Sequence, residues 1–309
     1  MKKVIVHLGF PKAASTLLQT KFFPKLDNCK YFGKMSNIPN LKYIEKNILK
    51  LSDQEFESSF NNIINKFNKI VFDDEKLNLI SHESFTDPFQ YLNNDTTKTL
   101  NRILRIFNHL SINCNFEIKL LFIIRNQSDL LYSYYCHFYT RLKNLLDIDN
   151  FEDFINYQNK RILKSFDYNI FVKILEKNSF NEFKFFLYED LVHEKSFFLN
   201  ELLCFFENKV QKPSYFYDLL SQKVNNNIYI GDKILTKFRI MVFLNELKYV
   251  FVKKLLTYNL NQFLRLFKKN KVVVEKNIKH VRIINSYYQN TKMVSNKNIV
   301  SKVIKKYYK

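Results

Sequence analysis

The 309-residue sequence predicts an α/β fold: a parallel sheet flanked by helices, followed by a helical, basic C-terminal part. Three observations predict it. Short β-rich runs alternate with stretches of helical apolar spacing, the order that favours parallel strands joined by helical crossovers. One run, Lys119–Ile124, has five consecutive apolar residues after a lysine, the pattern of a strand covered on both faces. Beyond Gly231 the strand signals fade and helical ones dominate.

Taken in order, residues 3–8 (Lys-Val-Ile-Val-His-Leu) form the first strand and run into a Gly/Pro loop. A helix is expected from Leu17, capped by Ser15 or Thr16 and ending near Pro24. Residues 54–67 and 95–110 have helical spacing, and Leu77–His82 between them reads as a second strand. After the Lys119–Ile124 strand, a helix starts at Ser128-Asp129. Glu182–Tyr188 is a fourth strand, with a helix over 196–207 behind it. There is no internal repeat and no proline-rich linker. The expected division is a sheet domain over 1–230 and a basic helical extension over 231–309, packed on it.

With 46% hydrophobic and 25% charged residues the chain can bury a sizeable core, which excludes wholesale disorder. Three glycines and five prolines exclude collagen-like and glycine-linker architectures. The formal charge of +20 is uneven: residues 231–309 hold 19 Lys/Arg against Asp232, Glu246 and Glu275. A/T-rich coding explains an excess of Lys, Asn and Phe but not that asymmetry. It calls for a negatively charged partner: a membrane surface, an acidic glycan or a nucleic acid. Within the extension, residues 234–267 interleave apolar residues with Lys and Arg. They read as an amphipathic helix on an anionic membrane, a face for an acidic glycan, or a helical layer covering the sheet. The cysteines (Cys29, Cys114, Cys136, Cys204) lie far apart without metal-ligand spacing, and read as reduced, mostly buried thiols of a cytoplasmic protein. The apolar run after Met1-Lys2-Lys3 is too short for a signal sequence, and no apolar stretch is long enough for a membrane-spanning helix.

The strongest local signal is His7-Leu8-Gly9-Phe10-Pro11-Lys12-Ala13-Ala14-Ser15-Thr16, a buried strand turning through a tight loop into a helix. Unpaired N–H groups at such a helix start bind phosphate. On the kinase P-loop frame, G-x-x-x-x-G-K-[ST], Gly9 and Thr16 fit. Ala14 takes the second glycine's place, Ser15 the lysine's, and the loop lysine moves forward to Lys12. An earlier lysine suits a single transferring group and its bridging oxygen, and no strand end clearly offers the acidic Mg²⁺ partner of a kinase.

At these residues the sequence resembles the PAPS-dependent sulfotransferases, most of all the bacterial and Golgi-type carbohydrate members. Their 5′-phosphosulfate loop reads like G-x-P-K-x-G-[ST]-[ST] before a Leu-rich helix, and Gly9–Leu18 follows it except at Ala14. Ala14 is tolerable there if its φ is negative. The family's 3′-phosphate element, R-N-P-x-D-R-x-x-S, is matched by Arg125, Asn126, Asp129 and Ser133, with Gln127 and Leu130 departing from it. Ser81-His82-Glu83-Ser84 falls where the family carries an acidic residue after its second strand, and Tyr188-Glu189-Asp190-Leu191 resembles a structural strand end. The family's later donor-site lid has only a poor counterpart, Lys223–Gly231.

The resemblance implies a P-loop-type sheet and in-line transfer of a sulfuryl group from PAPS to a hydroxyl or amine, without a metal. The product would be 3′,5′-adenosine bisphosphate. It implies that Pro11, Lys12, Ala13, Ala14, Ser15 and Thr16 hold the 5′-phosphate and that Arg125 and Ser133 hold the 3′-phosphate. Lys12 stabilises the leaving oxygen and Glu83 takes the acceptor's proton. His82 competes for that last role, since adjacent residues of a continuing strand point to opposite faces. A carbohydrate or glycolipid acceptor follows from the same resemblance, and the basic extension would seat the protein at the inner membrane face. A P-loop kinase and a basic nucleic-acid-binding protein are the alternatives. Nothing in the sequence matches a known nucleic-acid-binding motif.

Overall fold

The computed structural model describes residues 1–34, 38–88, 95–148, 150–180, 182–208 and 213–221. The predicted α/β fold is what these residues form. Five strands pair in parallel in the order β2-β3-β1-β4-β5 and are flanked by helices. The strands are β1 (Lys2–His7), β2 (Cys29–Lys34), β3 (Leu77–Ser81), β4 (Phe116–Ile124) and β5 (Phe183–Leu187).

The core explains the order. Val4, Ile5 and Val6 of β1 are each about 1% exposed, so β1 must lie at the centre with helices on both faces. Burying each such side chain contributes roughly 1.5–3 kcal/mol. Leu120–Ile124 of β4 are equally buried beside it. The chain crosses from β3 over β1 to reach β4, so the C-terminal ends of β1, β3 and β4 open where the strand order reverses. That crevice is where open parallel sheets bind ligands.

The sequence reading found four strands, and the structure adds a fifth, β2, at the edge. Its residues Cys-Lys-Tyr-Phe-Gly-Lys lack a continuous apolar run because an edge strand is only half covered. Gly33 takes φ 73° there, and the pairing register to β3 shifts between Tyr31 and Lys34, as a β-bulge requires. Helices absent from that reading also appear: α2 (Pro39–Lys50), α6 (Phe151–Ser165), α7 (Tyr168–Lys177), α8 (Tyr188–His193) and α10 (Pro213–Ser221). Those anticipated are α3 (Asp53–Asn68), α4 (Thr96–Asn113), α5 (Gln127–Leu146) and α9 (Lys195–Phe205). The caps fix their starts: Ser52 and Glu55 form a capping box on α3, and Asp95 and Asn126 accept N–H groups of α4 and α5.

The first helix departs from expectation. α1 (Ser15–Leu17) passes into a π-helical turn, Leu18–Phe22, and a 3-10 turn, Phe23–Lys25. Neither Ser15 nor Thr16 caps it. The cap position is Ala14, with no side-chain hydrogen bond. All four cysteines are free, but only Cys29 and Cys136 are buried. Cys114 is half-buried and Cys204 exposed. Among the described residues no helix is long and apolar enough to cross a membrane. The lid candidate Lys223–Gly231, the amphipathic stretch 234–267 and the rest of the extension lie outside the described residues.

Candidate functional site

The loop leaving β1 is pinned where it starts. The Leu8 N–H donates to the Leu121 carbonyl (2.9 Å), and the Thr86 hydroxyl donates to the Gly9 carbonyl (2.8 Å). Phe10, an apolar residue inside a polar loop, is fully buried with its ring 4.9 Å from those of both Tyr168 and Phe171. Gly9 is obligatory. A Cβ there would lie 2.2 Å from Ser15 Oγ and 2.8 Å from His7 Nε2.

Beyond these anchors the backbone alternates hand. Lys12 has φ 68° and Ala14 φ 63°, while Ala13 keeps a negative φ. Alternation of this kind turns successive N–H groups into one concavity, a nest for an anion. The condition for an easily tolerated methyl at Ala14, a negative φ, is therefore not met. Its methyl group sits in the left-handed region, the conformation for which the related motif uses glycine. Ser15 is buried, and its hydroxyl turns back to donate to the Phe10 carbonyl at 3.3 Å.

Two cations meet at this loop. Arg125, just past β4, donates from Nη1 to the Lys12 carbonyl (3.1 Å). Its guanidinium lies 4.6 Å from the Tyr188 ring centre, and its buried Nε has no hydrogen-bond partner among the described residues. The Tyr168 hydroxyl donates to the Arg125 carbonyl (2.7 Å), and the next peptide N–H, of Asn126, donates to Glu189 Oε1 (2.9 Å). Burial pushes the Tyr168 phenol well above its ordinary range, so it stays a neutral donor. Lys12 is half-buried. Burial and the Arg125 charge lower its pKa, and the Glu83 carboxylate opposes them.

Glu83 and His82 do not share an environment. β3 ends at Ser81, the His82 N–H still donates to the His7 carbonyl (2.8 Å), and the chain then turns at Glu83 into a 3-10 turn, Ser84–Thr86. Glu83 is half-buried and close enough to Lys12 to act on its charge. His82 is 4% exposed, packs edge-on against Phe85 and sets Nε2 3.2 Å from Glu45 Oε1 of α2. The structure thus brings Lys12, Arg125 and Glu83 together and turns the His82 ring to Glu45. Pro11 and Ala13 are buried within the loop, and Thr16 is half-buried. Ser133 is half-buried on α5. Cys136 and His137, one turn further on and so on the same face, both feel the Lys12 charge, which directs that face at the loop.

Three features escaped the sequence reading. Cys136 and His137 sit beside Lys12, and only the i, i+3 and i+4 spacing from Ser133 pointed to them. Tyr168, and the tie from Glu189 (in sequence only part of a structural strand end), hold the turn that carries Arg125, from elements remote in sequence. A buried chain, Gln19–Ser81–His7, runs beneath the loop. The Gln19 Nε2–H donates to Ser81 Oγ (2.8 Å), which lies 2.7 Å from His7 Nδ1. Among the described residues no group of three His, Cys, Asp or Glu side chains is arranged to hold a metal ion.

No family model matches the chain, and no curated protein matches it. Among solved structures it is similar to a sulfotransferase from Alicyclobacillus acidocaldarius (11% identity, TM-score 0.44, 72% of this chain and 90% of that one). It is also similar to a mouse sulfotransferase complexed with PAP (15% identity, TM-score 0.48, 99% and 89%). A third similarity is to thymidylate kinase from Candida albicans (14% identity, TM-score 0.33, 67% and 93%). Likenesses this distant carry no functional argument.

Proposed function

We propose that the chain is a sulfotransferase that moves a sulfuryl group from PAPS to a hydroxyl or amine of a carbohydrate or glycolipid. The observation that carries this reading is the meeting of Lys12 and Arg125 on one loop whose backbone alternates hand at Lys12 and Ala14. A nest for one phosphate beside a fork for another suits a nucleotide with phosphates on the 3′ and 5′ oxygens of one ribose. The orphaned, buried Nε of Arg125 supports an anionic partner there, since a guanidinium held on an aromatic ring retains a fixed fork for two oxygens.

When bound, PAPS supplies the sulfuryl group. In the proposed scheme the loop N–H groups, with the Ser15 and Thr16 hydroxyls, hold its 5′-phosphate. Arg125 holds the 3′-phosphate with Ser133, eight residues along on α5. Lys12 offsets the negative charge that builds on the leaving oxygen. Glu83 accepts the proton of the attacking hydroxyl or amine. Glu83 is placed for this by lying close enough to Lys12 to act on its charge. His82, enclosed by Phe85 and Glu45, is assigned no proton transfer. The basic extension is proposed to bring the protein to an anionic membrane surface on the cytoplasmic side.

A thermal-shift titration tests the reading. 3′,5′-Adenosine bisphosphate is expected to raise the melting temperature, and ADP, or ATP with Mg²⁺, to raise it less. Loss of that shift in Lys12→Ala and Arg125→Ala completes the expectation. A shift with ATP and Mg²⁺ alone would favour a kinase instead.

A further inference from the structure

Beneath the loop lies a polar chain that the scheme above leaves unused. His7 is fully buried at the end of β1, its ring edge-on to Phe23. Burial pushes its pKa down to about 3, so the imidazole is neutral and carries one N–H. Ser81 Oγ receives the Gln19 Nε2–H and has one proton of its own to give. Given to His7 Nδ1 at 2.7 Å, that proton fixes the tautomer, and the imidazole hydrogen must then be on Nε2. Nε2 is buried without a hydrogen-bond partner among the described residues. The ring edge lies against the loop: Cε1, Nε2 and Ser15 Oγ lie 2.7, 2.8 and 2.2 Å from the same point, the place a Gly9 Cβ would fill. Ser15 meanwhile makes only its long 3.3 Å bond to the Phe10 carbonyl.

We propose that Gln19, Ser81 and His7 form a donor relay that aims the Ser15 hydroxyl at an anion oxygen in the loop, with His7 as its positioning residue. With the anion bound, the Ser15 O–H leaves the Phe10 carbonyl for the anion. A lone pair of Ser15 Oγ, redirected by that rotation, accepts the His7 Nε2–H. Each member then donates once in one direction: Gln19 to Ser81, Ser81 to His7, His7 to Ser15 and Ser15 to the anion. No proton changes owner, and the buried orphan acquires its partner. A buried donor left unmade is costly, so the relay favours the bound arrangement. Gly9 has no side chain because this contact needs the space.

The relay rests on the reading of Gly9–Thr16 as a phosphate loop, and the test separates the two. The full chain is titrated with 3′,5′-adenosine bisphosphate and, separately, with inorganic pyrophosphate. Affinity is compared in wild type, Ser15→Ala, Ser81→Ala and the double variant. Ser81→Ala should weaken the ligand that binds by about tenfold in wild type and by less than about twofold in Ser15→Ala. Equal losses in both backgrounds overturn the relay. Nitrogen NMR of wild type supplies a second readout that needs no variant. His7 should be protonated at Nε2 alone at neutral pH, and its Nε2–H resonance should move on saturation. A proton on Nδ1, or an unmoved Nε2–H, overturns the relay while leaving the phosphate loop standing. If neither ligand binds wild type, the phosphate loop and the relay fall together. Pyrophosphate binding without the bisphosphate keeps the relay, if the coupling is seen, and removes the PAPS reading.

Discussion

Lys12 and Ala14 owe their chemistry to a backbone hand that side chains normally avoid. Lys12→Ala keeps the fold in this account and removes the charge opposite the leaving oxygen. Sulfuryl transfer should fall by about 10²–10³-fold, read from initial rates at saturating donor. Ala14→Gly should do the reverse for stability. An alanine at φ 63° carries strain that glycine does not, so the variant should gain roughly 1 kcal/mol in chemical denaturation. An unchanged midpoint would mean that the loop does not hold Ala14 at that φ. His7 makes a pH prediction. Its folded pKa of about 3 lies below the ordinary 6.5, so between those values the unfolded chain binds the extra proton. Stability is therefore lost as pH falls below 6.5, by up to about 1.4 kcal/mol per unit. Denaturation of wild type and His7→Gln between these limits should differ in that slope.

Elements remote in sequence hold the loop, and their contribution is measurable. Phe10 plugs the corner where α6 meets α7, and Tyr168 at the start of α7 bonds both backbone groups of Arg125. Tyr168→Phe leaves the ring packing in place and strands a buried carbonyl. It should cost about 1–3 kcal/mol and weaken the bisphosphate, because the turn that carries Arg125 loses its tie. A variant that lost stability but kept wild-type affinity would show that the turn is held by the Asn126–Glu189 bond alone. The departure of α1 from regular α geometry belongs to the same scale. Its π turn comes three residues after a loop that bends twice through left-handed residues, and local widening of this sort often accompanies functional sites.

For the molecule as a whole, the charge asymmetry is the property that no single element explains. If the extension seeks an anionic surface, the full chain should bind phosphatidylserine-containing vesicles in co-sedimentation. Binding should weaken as salt rises and should be absent on neutral vesicles. Equal binding to both lipids would point to apolar insertion instead.

Much of this was legible from residues alone because it depends on local pattern. The five apolar residues behind Lys119 announce a doubly covered strand, and Gly9, Lys12, Arg125 and Ser133 mark the two stretches proposed to bind anions. The sheet's alternation of strand and helix likewise depends only on periodicity. The edge strand β2 was not legible, since half its face is uncovered and a bulge at Gly33 breaks its period. Nor was the cap of α1, because the αL turn at Ala14 puts Ser15 inside the helix and spends its hydroxyl on Phe10. Which of His82 and Glu83 looks toward Lys12 was decided by where β3 stops, a matter of pairing with β1 rather than of sequence. The Gln19–Ser81–His7 chain joins residues 12 to 74 positions apart, and only the pairing of β1 with β3 brings them together. Sequence specified the chemistry available at each strand end. Tertiary structure decided which groups meet, because contact across a parallel sheet is set by register, and register is a property of neighbours.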